Sequence, residues 1–108
     1  EYIRREFAGN DALRLIEGDA LQLLPQILRE QPGAKIVANI PYNITTPLLE
    51  VICAAAIPPA LTVLTMQKEV AERLSAVPRT KAYGAMTVVV QRMFEVKYGF
   101  TIAPTCFY

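Results

Sequence analysis

Residues 35–42, Lys-Ile-Val-Ala-Asn-Ile-Pro-Tyr, limit the possible folds more than any other stretch. The apolar run Lys35-Ile36-Val37-Ala38 reads as a buried parallel strand. Asn39 then places a side-chain amide where that strand ends, and Pro41 prevents its continuation. In open α/β sheets ligands bind beyond the carboxyl ends of the strands. An amide, a rigid bend and an aromatic ring at such an edge suit a flat, hydrogen-bonding substrate.

A nucleobase amine fits that description. An adenine exocyclic amine is a poor nucleophile because its lone pair is delocalised into the ring. Two acceptors aimed at its N–H groups would turn that lone pair towards an electrophile. The Asn39 side-chain oxygen is one candidate acceptor. The Ile40 carbonyl is the other, with Pro41 biasing Ile40 towards an extended conformation. Tyr42 would stack on the base, an interaction worth about 1–3 kcal/mol. Taken alone, the four residues fit an ordinary strand end with a turn and a surface tyrosine better than they fit a base site.

The flanking pattern is that of alternating strands and helices. Leu13-Arg14-Leu15-Ile16-Glu17 reads as a short strand ending at Gly18-Asp19. Asp19 can cap a helix over Ala20 to Glu30, with Leu21, Leu24, Ile27 and Leu28 on one face. Gln31-Pro32-Gly33 turns into the central strand, residues 35–39. Thr45 or Thr46 can cap the next helix, with Pro47 in its first turn, running to about Ala56 before Pro58-Pro59. Leu61 to Met66 reads as a second buried strand, and Lys68 to Ala76 as a charged helix. Val77 to Gly84 is a basic, exposed loop. Residues 85–94 fit either state: Thr87-Val88-Val89-Val90 favours a strand, while the spacing of Met86, Val89, Val90 and Met93 suits a helix. Glu95 to Ile102 alternates as a strand does, and residues 103–108 form a loop. This rhythm predicts a parallel α/β sheet.

Composition narrows the function classes. With 53% hydrophobic and 19% charged residues, the chain is globular rather than disordered. It contains no histidine, which removes histidine catalysis and histidine metal ligation. Cys53 and Cys106 lack zinc-type spacing and are expected to be reduced. With no leader pattern and no run of membrane-spanning length, a cytoplasmic setting is expected. The net charge is only +1, but it is unevenly distributed. Residues 1–60 carry five basic and seven acidic side chains; residues 61–108 carry six basic and three acidic. Lys68, Arg73, Arg79, Lys81, Arg92 and Lys97 are candidates for a phosphate-facing surface, or ordinary solvated charges.

Four blocks, in order, resemble one family. They are Glu17-Gly18-Asp19-Ala20, the run from Asn39-Ile40-Pro41-Tyr42 through Asn43-Ile44-Thr45-Thr46-Pro47-Leu48-Leu49, the run Met66 to Leu74, and Ala103-Pro104-Thr105-Cys106-Phe107-Tyr108. Together they resemble the small-subunit ribosomal RNA adenine dimethyltransferases, the KsgA/Dim family, over nearly the whole chain from Leu13 onward. The resemblance implies a Rossmann-like α/β methyltransferase fold, a helix over residues 85–94, and S-adenosyl-L-methionine as cofactor. It implies dimethylation of two adjacent adenines in small-subunit ribosomal RNA during ribosome biogenesis, with no metal required; a monomer is expected. Asn39, Ile40, Pro41 and Tyr42 would form the target-base site, with Phe107 covering the other face of the base. Asp19, Ala20 and Asn39 would touch the cofactor, Asp19 accepting from its adenine amine. Cys106 departs from the small residue expected before Phe107.

The family's Gly-rich cofactor loop and the acidic residue that holds the ribose have no counterpart here. Gly9, Gly18, Gly33, Gly84 and Gly99 are too dispersed to form such a loop. The family's small C-terminal helical domain is absent as well. The chain therefore reads as a part of the catalytic domain, inactive by itself. Two other functions remain in view. One is a large-subunit RNA methyltransferase of the antibiotic-resistance type. The other is a non-catalytic RNA-binding assembly or transcription factor.

Overall fold

A computed structural model describes residues 1–107. The elements in chain order are α1 (Tyr2–Glu6), α2 (Ala20–Glu30), β1 (Lys35–Asn39), α3 (Thr45–Cys53), β2 (Leu61–Thr65), α4 (Lys68–Leu74) and α5 (Ala85–Met93). Short 3-10 turns occupy Tyr42–Ile44 and Pro104–Cys106. β1 and β2 pair in parallel, with Lys35 opposite Leu61 and Asn39 opposite Thr65. Parallel neighbours cannot be joined by a tight turn. Here α3 makes the crossover.

Helices α2, α3 and α5 pack side by side, and α4 packs on α5. Ile40, Leu48 and Ile52 form one buried cluster, against which Leu21 and Leu24 of α2 and Ile36, Ala38 and Leu64 of the sheet pack. Leu49, Leu74 and Val90 form a second cluster that joins α3, α4 and α5. Leu64 and Phe94 touch both clusters, so a single apolar layer lies between helices and sheet.

The sheet differs from the sequence expectation in two respects. Both strands were expected to be buried, yet each alternates between covered and exposed residues. The packed helices cover the face with Ile36, Ala38 and Leu64, whereas Val37 on the other face is 81% exposed. Among the described residues the sheet also has two strands, not four. A strand exists through its ladder of hydrogen bonds. Residues 13–17 form none, and Leu13, Leu15 and Ile16 are exposed; an Arg4–Glu17 ion pair of 2.8 Å ties this segment to α1 instead. Residues 95–102 likewise lack a ladder. Their inward residue Val96 packs on the core, but Phe100 is exposed and Tyr98 Oη pairs locally with Thr101 Oγ1.

Two helix boundaries also shift. Neither Thr45 nor Thr46 caps α3: Ile44 precedes the helix with no side-chain cap, because the 3-10 turn runs directly into it. α3 stops at Cys53, well before Pro58-Pro59. The chain must turn back there to enter β2, where the Ala60 N–H already donates to the Ala34 carbonyl at 2.9 Å. Residues 85–93 are helical, as the family resemblance implied and the residues alone left open.

Candidate target-base site

The turn after β1 is fastened from both sides. Asn39 ends the strand directly opposite Thr65. The Thr65 hydroxyl donates to the Asn39 side-chain oxygen at 2.5 Å, and the Ile40 N–H donates to the Thr65 carbonyl at 3.2 Å. One residue of β2 thus orients both the amide and the backbone that follows it. A carbonyl oxygen has two lone-pair directions, so the Asn39 oxygen keeps one acceptor position after meeting Thr65. Ile40 turns inward and is buried with Leu48 and Ile52. Pro41 is extended (φ −57°, ψ 132°). The Pro41 carbonyl, not that of Ile40, accepts the turn's internal hydrogen bonds, from the Ile44 N–H at 3.1 Å and the Thr45 hydroxyl at 3.5 Å. Tyr42 then opens the 3-10 turn and is 74% exposed.

This arrangement presents an exposed amide acceptor and an exposed ring on one rigid turn. The buried Ile40 between them fixes their spacing. None of the four residues offers a strong general base. The chemistry available is hydrogen bonding and stacking.

Asp19 and Ala20 sit at the start of α2. Asp19 caps that helix, its Oδ1 accepting from the Leu21 N–H at 2.9 Å. The helix continues through Pro25, which has no N–H to donate. Gly18 has φ +156°, and a Cβ there would lie 2.8 Å from Leu23 Cδ1, so the approach to the cap is tight. Leu21, two residues beyond Asp19, packs on the cluster that contains Ile40. The core therefore links the Asp19 cap with the turn that carries Asn39 and Tyr42. Phe107 is not linked in this way: among the described residues no helix or strand packs on the 104–106 turn, and Phe107 is 66% exposed. Tyr108, the end of the fourth sequence block, lies outside the described residues.

Among the described residues, Lys68 pairs with Glu72 at 3.7 Å and Lys97 with Glu95 at 3.6 Å. Arg73, Arg79, Lys81 and Arg92 have no ion-pair partner among them. Cys53 and Cys106 are both free thiols. Burial raises the Cys53 thiol above its ordinary pKa. No group of His, Cys, Asp and Glu among the described residues could hold a metal, and no helix is long and apolar enough to cross a membrane.

Sequence reasoning missed Thr65. Its only signal is its place as the last residue of the strand that pairs with β1, and that pairing is invisible until the register is known.

The comparisons with known proteins agree with one another. The family model described as ribosomal RNA adenine dimethylase matches residues 1–108. A protein of Latilactobacillus sakei named ribosomal RNA small subunit methyltransferase A is 44% identical over 93 residues, covering 86% of this chain and 31% of the relative. Proteins of the same name from Magnetococcus marinus and Synechocystis are 43% and 39% identical, each aligned over 97% of this chain and over 38% and 40% of their own lengths. The chain spans about a third to two-fifths of the length of these relatives. With its entire length matched by that family model and its four motif blocks in order, this chain belongs to the ribosomal RNA adenine dimethylase family.

Proposed function

We propose that this chain is the target-base part of a catalytic domain, within an enzyme of its relatives' length. That enzyme dimethylates the exocyclic amines of two adjacent adenines in small-subunit ribosomal RNA. We place it in the cytoplasm, acting as a monomer on the maturing small subunit. One observation carries the reading: Thr65 holds the Asn39 amide at the end of β1, one buried residue and a proline away from an exposed Tyr42.

The target adenine is flipped out of its helix to reach this turn. Tyr42 stacks on the base. The remaining acceptor position of Asn39 and the Ile40 carbonyl accept hydrogen bonds from the two amine N–H groups, which turns the nitrogen lone pair outward. Phe107 covers the second face of the base once its segment is docked.

The family resemblance supplies S-adenosyl-L-methionine as methyl donor. The residues present fit its adenine end: Asp19 uses one carboxylate oxygen for the α2 cap, and the second makes no hydrogen bond among the described residues. Asp19, Ala20 and Asn39 are the residues that would hold it. Its sulfonium supplies an electrophilic methyl group. The protein's contribution is to align nitrogen and methyl carbon, and positioning of this kind removes a large share of a barrier. A chain without histidine can do this. Because the 108 residues hold only part of the cofactor site, with no Gly-rich loop, the chain alone is expected to be inactive.

The test uses the enzyme of full family length and labelled S-adenosylmethionine. It is offered unmethylated small-subunit particles and, separately, naked large-subunit RNA. Label recovered as dimethyladenine in small-subunit RNA is the expected result. Label confined to large-subunit RNA would transfer the protein to the resistance-type enzymes. Binding without label in either would favour an assembly factor.

A further inference from the structure

Two polar side chains on α5 have no role in the target-base site, yet both are committed to one place. Thr87 is completely buried. Its hydroxyl donates to the Arg73 carbonyl at 2.6 Å and accepts from the Gly84 N–H at 3.0 Å. One helical turn on, Gln91 Nε2 lies 2.9 Å from the Leu74 carbonyl and 2.9 Å from the Ala76 carbonyl, and donates to both. Residues four apart share a helix face. From that face the pair satisfies carbonyls at the end of α4, where a helix leaves its last acceptors without partners. Thr87 connects the end of α4 directly to Gly84, the last residue of the loop between α4 and α5.

That loop, residues 77–84, has a defined shape. The Thr80 hydroxyl donates to the Val77 carbonyl at 2.7 Å, and the Tyr83 N–H to the Thr80 carbonyl at 3.2 Å. Arg79 has φ +69°, a left-handed conformation unfavourable for a residue with a Cβ and no short polar side chain. Such a conformation persists where the surroundings over-determine it, and it is concentrated at functional positions. Arg79 and Lys81 are exposed and have no ion-pair partner among the described residues.

We propose that Thr87 and Gln91 are positioning residues: by pinning the end of α4 and the start of α5, they hold the 77–84 loop in one shape, with Arg79 and Lys81 as a preformed contact for RNA backbone phosphates. The inference rests on the RNA-methylation reading above and adds a surface away from the adenine turn. A preformed loop binds more tightly than a mobile one because less freedom is lost on binding. Phosphate contacts fix the orientation of a protein on nucleic acid without reading its sequence.

The experiment uses the enzyme of full family length and two probes, a small-subunit RNA stem–loop and an unrelated RNA hairpin. Affinity is measured between about 50 and 200 mM salt, where each phosphate contact contributes roughly 0.7–0.9 to the slope of log affinity against log salt. R79Q/K81Q should lower the slope by between about one and two on both probes. T87V and Q91L should weaken RNA binding in the same way, T87S should restore it, and S-adenosylmethionine affinity should be unchanged. Adding R79Q/K81Q to Q91L should cost little more than either change alone, since groups acting through one element are not additive. A purely structural role would not produce that non-additivity.

If T87V fails to fold, Q91L and T87S carry the test. A folded Q91L with wild-type affinity and slope overturns the proposal, as does full additivity with R79Q/K81Q. An R79Q/K81Q variant with an unchanged slope overturns the phosphate contact. The unrelated hairpin separates this from the methylation reading: wild-type enzyme that transfers no label but keeps the loop-dependent slope sinks that reading alone.

Discussion

Thr65 and Asn39 face each other as the last register pair of the parallel sheet, and the Thr65 hydroxyl donates to the Asn39 side-chain oxygen. The same threonine's carbonyl receives the Ile40 N–H. Together these bonds hold the turn's acceptors against the sheet. In the full-length enzyme, Asn39→Ala should lower kcat by about 100-fold or more, the scale of lost positioning at a reacting group, with S-adenosylmethionine binding weakened far less than turnover, since Asp19 and Ala20 keep their contacts. Thr65→Val should lower kcat by about tenfold and Thr65→Ser by much less, since serine keeps the donor. Steady-state kinetics on unmethylated small-subunit particles check both; a Thr65→Val enzyme with wild-type kcat would remove the assigned role.

Tyr42 offers its ring with almost no support from neighbours. Tyr42→Ala should weaken productive RNA binding by about 1–3 kcal/mol, the range for loss of one base stack. Tyr42→Phe should stay close to wild type, because the ring rather than the hydroxyl makes the contact. Comparing KM for the two variants decides this; equal losses would point to the hydroxyl.

Asp19 caps α2 and is proposed to meet the cofactor, and substitution can separate the two. Asparagine is as good a helix cap as aspartate, whereas alanine costs about 1 kcal/mol. Asp19→Asn should therefore preserve thermal stability and still weaken S-adenosylmethionine binding. Asp19→Ala should lower both. Calorimetric titration beside thermal unfolding separates them, and unchanged cofactor affinity in Asp19→Asn would leave only the cap.

Ile52 anchors the cluster that holds Ile40, within the turn after β1, and is 2% exposed. Ile52→Ala should destabilise the protein by about 2–5 kcal/mol, the range for emptying a packed site. Denaturant unfolding followed by circular dichroism measures it. A loss below about 0.5 kcal/mol, typical of surface changes, would show that the cluster does not support the turn.

The two cysteines should react at very different rates. Cys106 is exposed, while Cys53 is partly covered and its thiol pKa is raised by burial. Thiolate is the reactive form. Alkylation near neutral pH should modify Cys106 first, and the Cys53 rate should keep rising at more alkaline pH. Mass mapping of labelled peptides reads this directly; preferential labelling of Cys53 would contradict its burial.

Local patterns were decisive for the elements with local causes. The Asp19 cap and α2 formed as read, because a cap needs only a side chain and the next N–H groups. β1 and β2 formed where β-branched and apolar residues run between turn signals. The order of the four motif blocks was enough to point to the family that the comparisons show.

Long-range relationships were set by tertiary structure. Leu13 to Glu17 has a strand's composition and residues 95–102 alternate like a strand, but neither forms a ladder among the described residues. Strand pairing depends on a neighbour's edge, which composition does not encode. The helix at residues 85–93 could not be separated from a strand by period alone; packing of Val90 against Leu49 and Leu74 accounts for it. Thr65 reaches Asn39, and Thr87 reaches Arg73, across gaps of 26 and 14 residues. The sequence by itself determined which residues could serve as caps, acceptors and stacking rings. Register and helix packing decided which of them meet, because residues far apart in the chain reach hydrogen-bonding distance only in a fold held together by a core such as Ile40, Leu48 and Ile52.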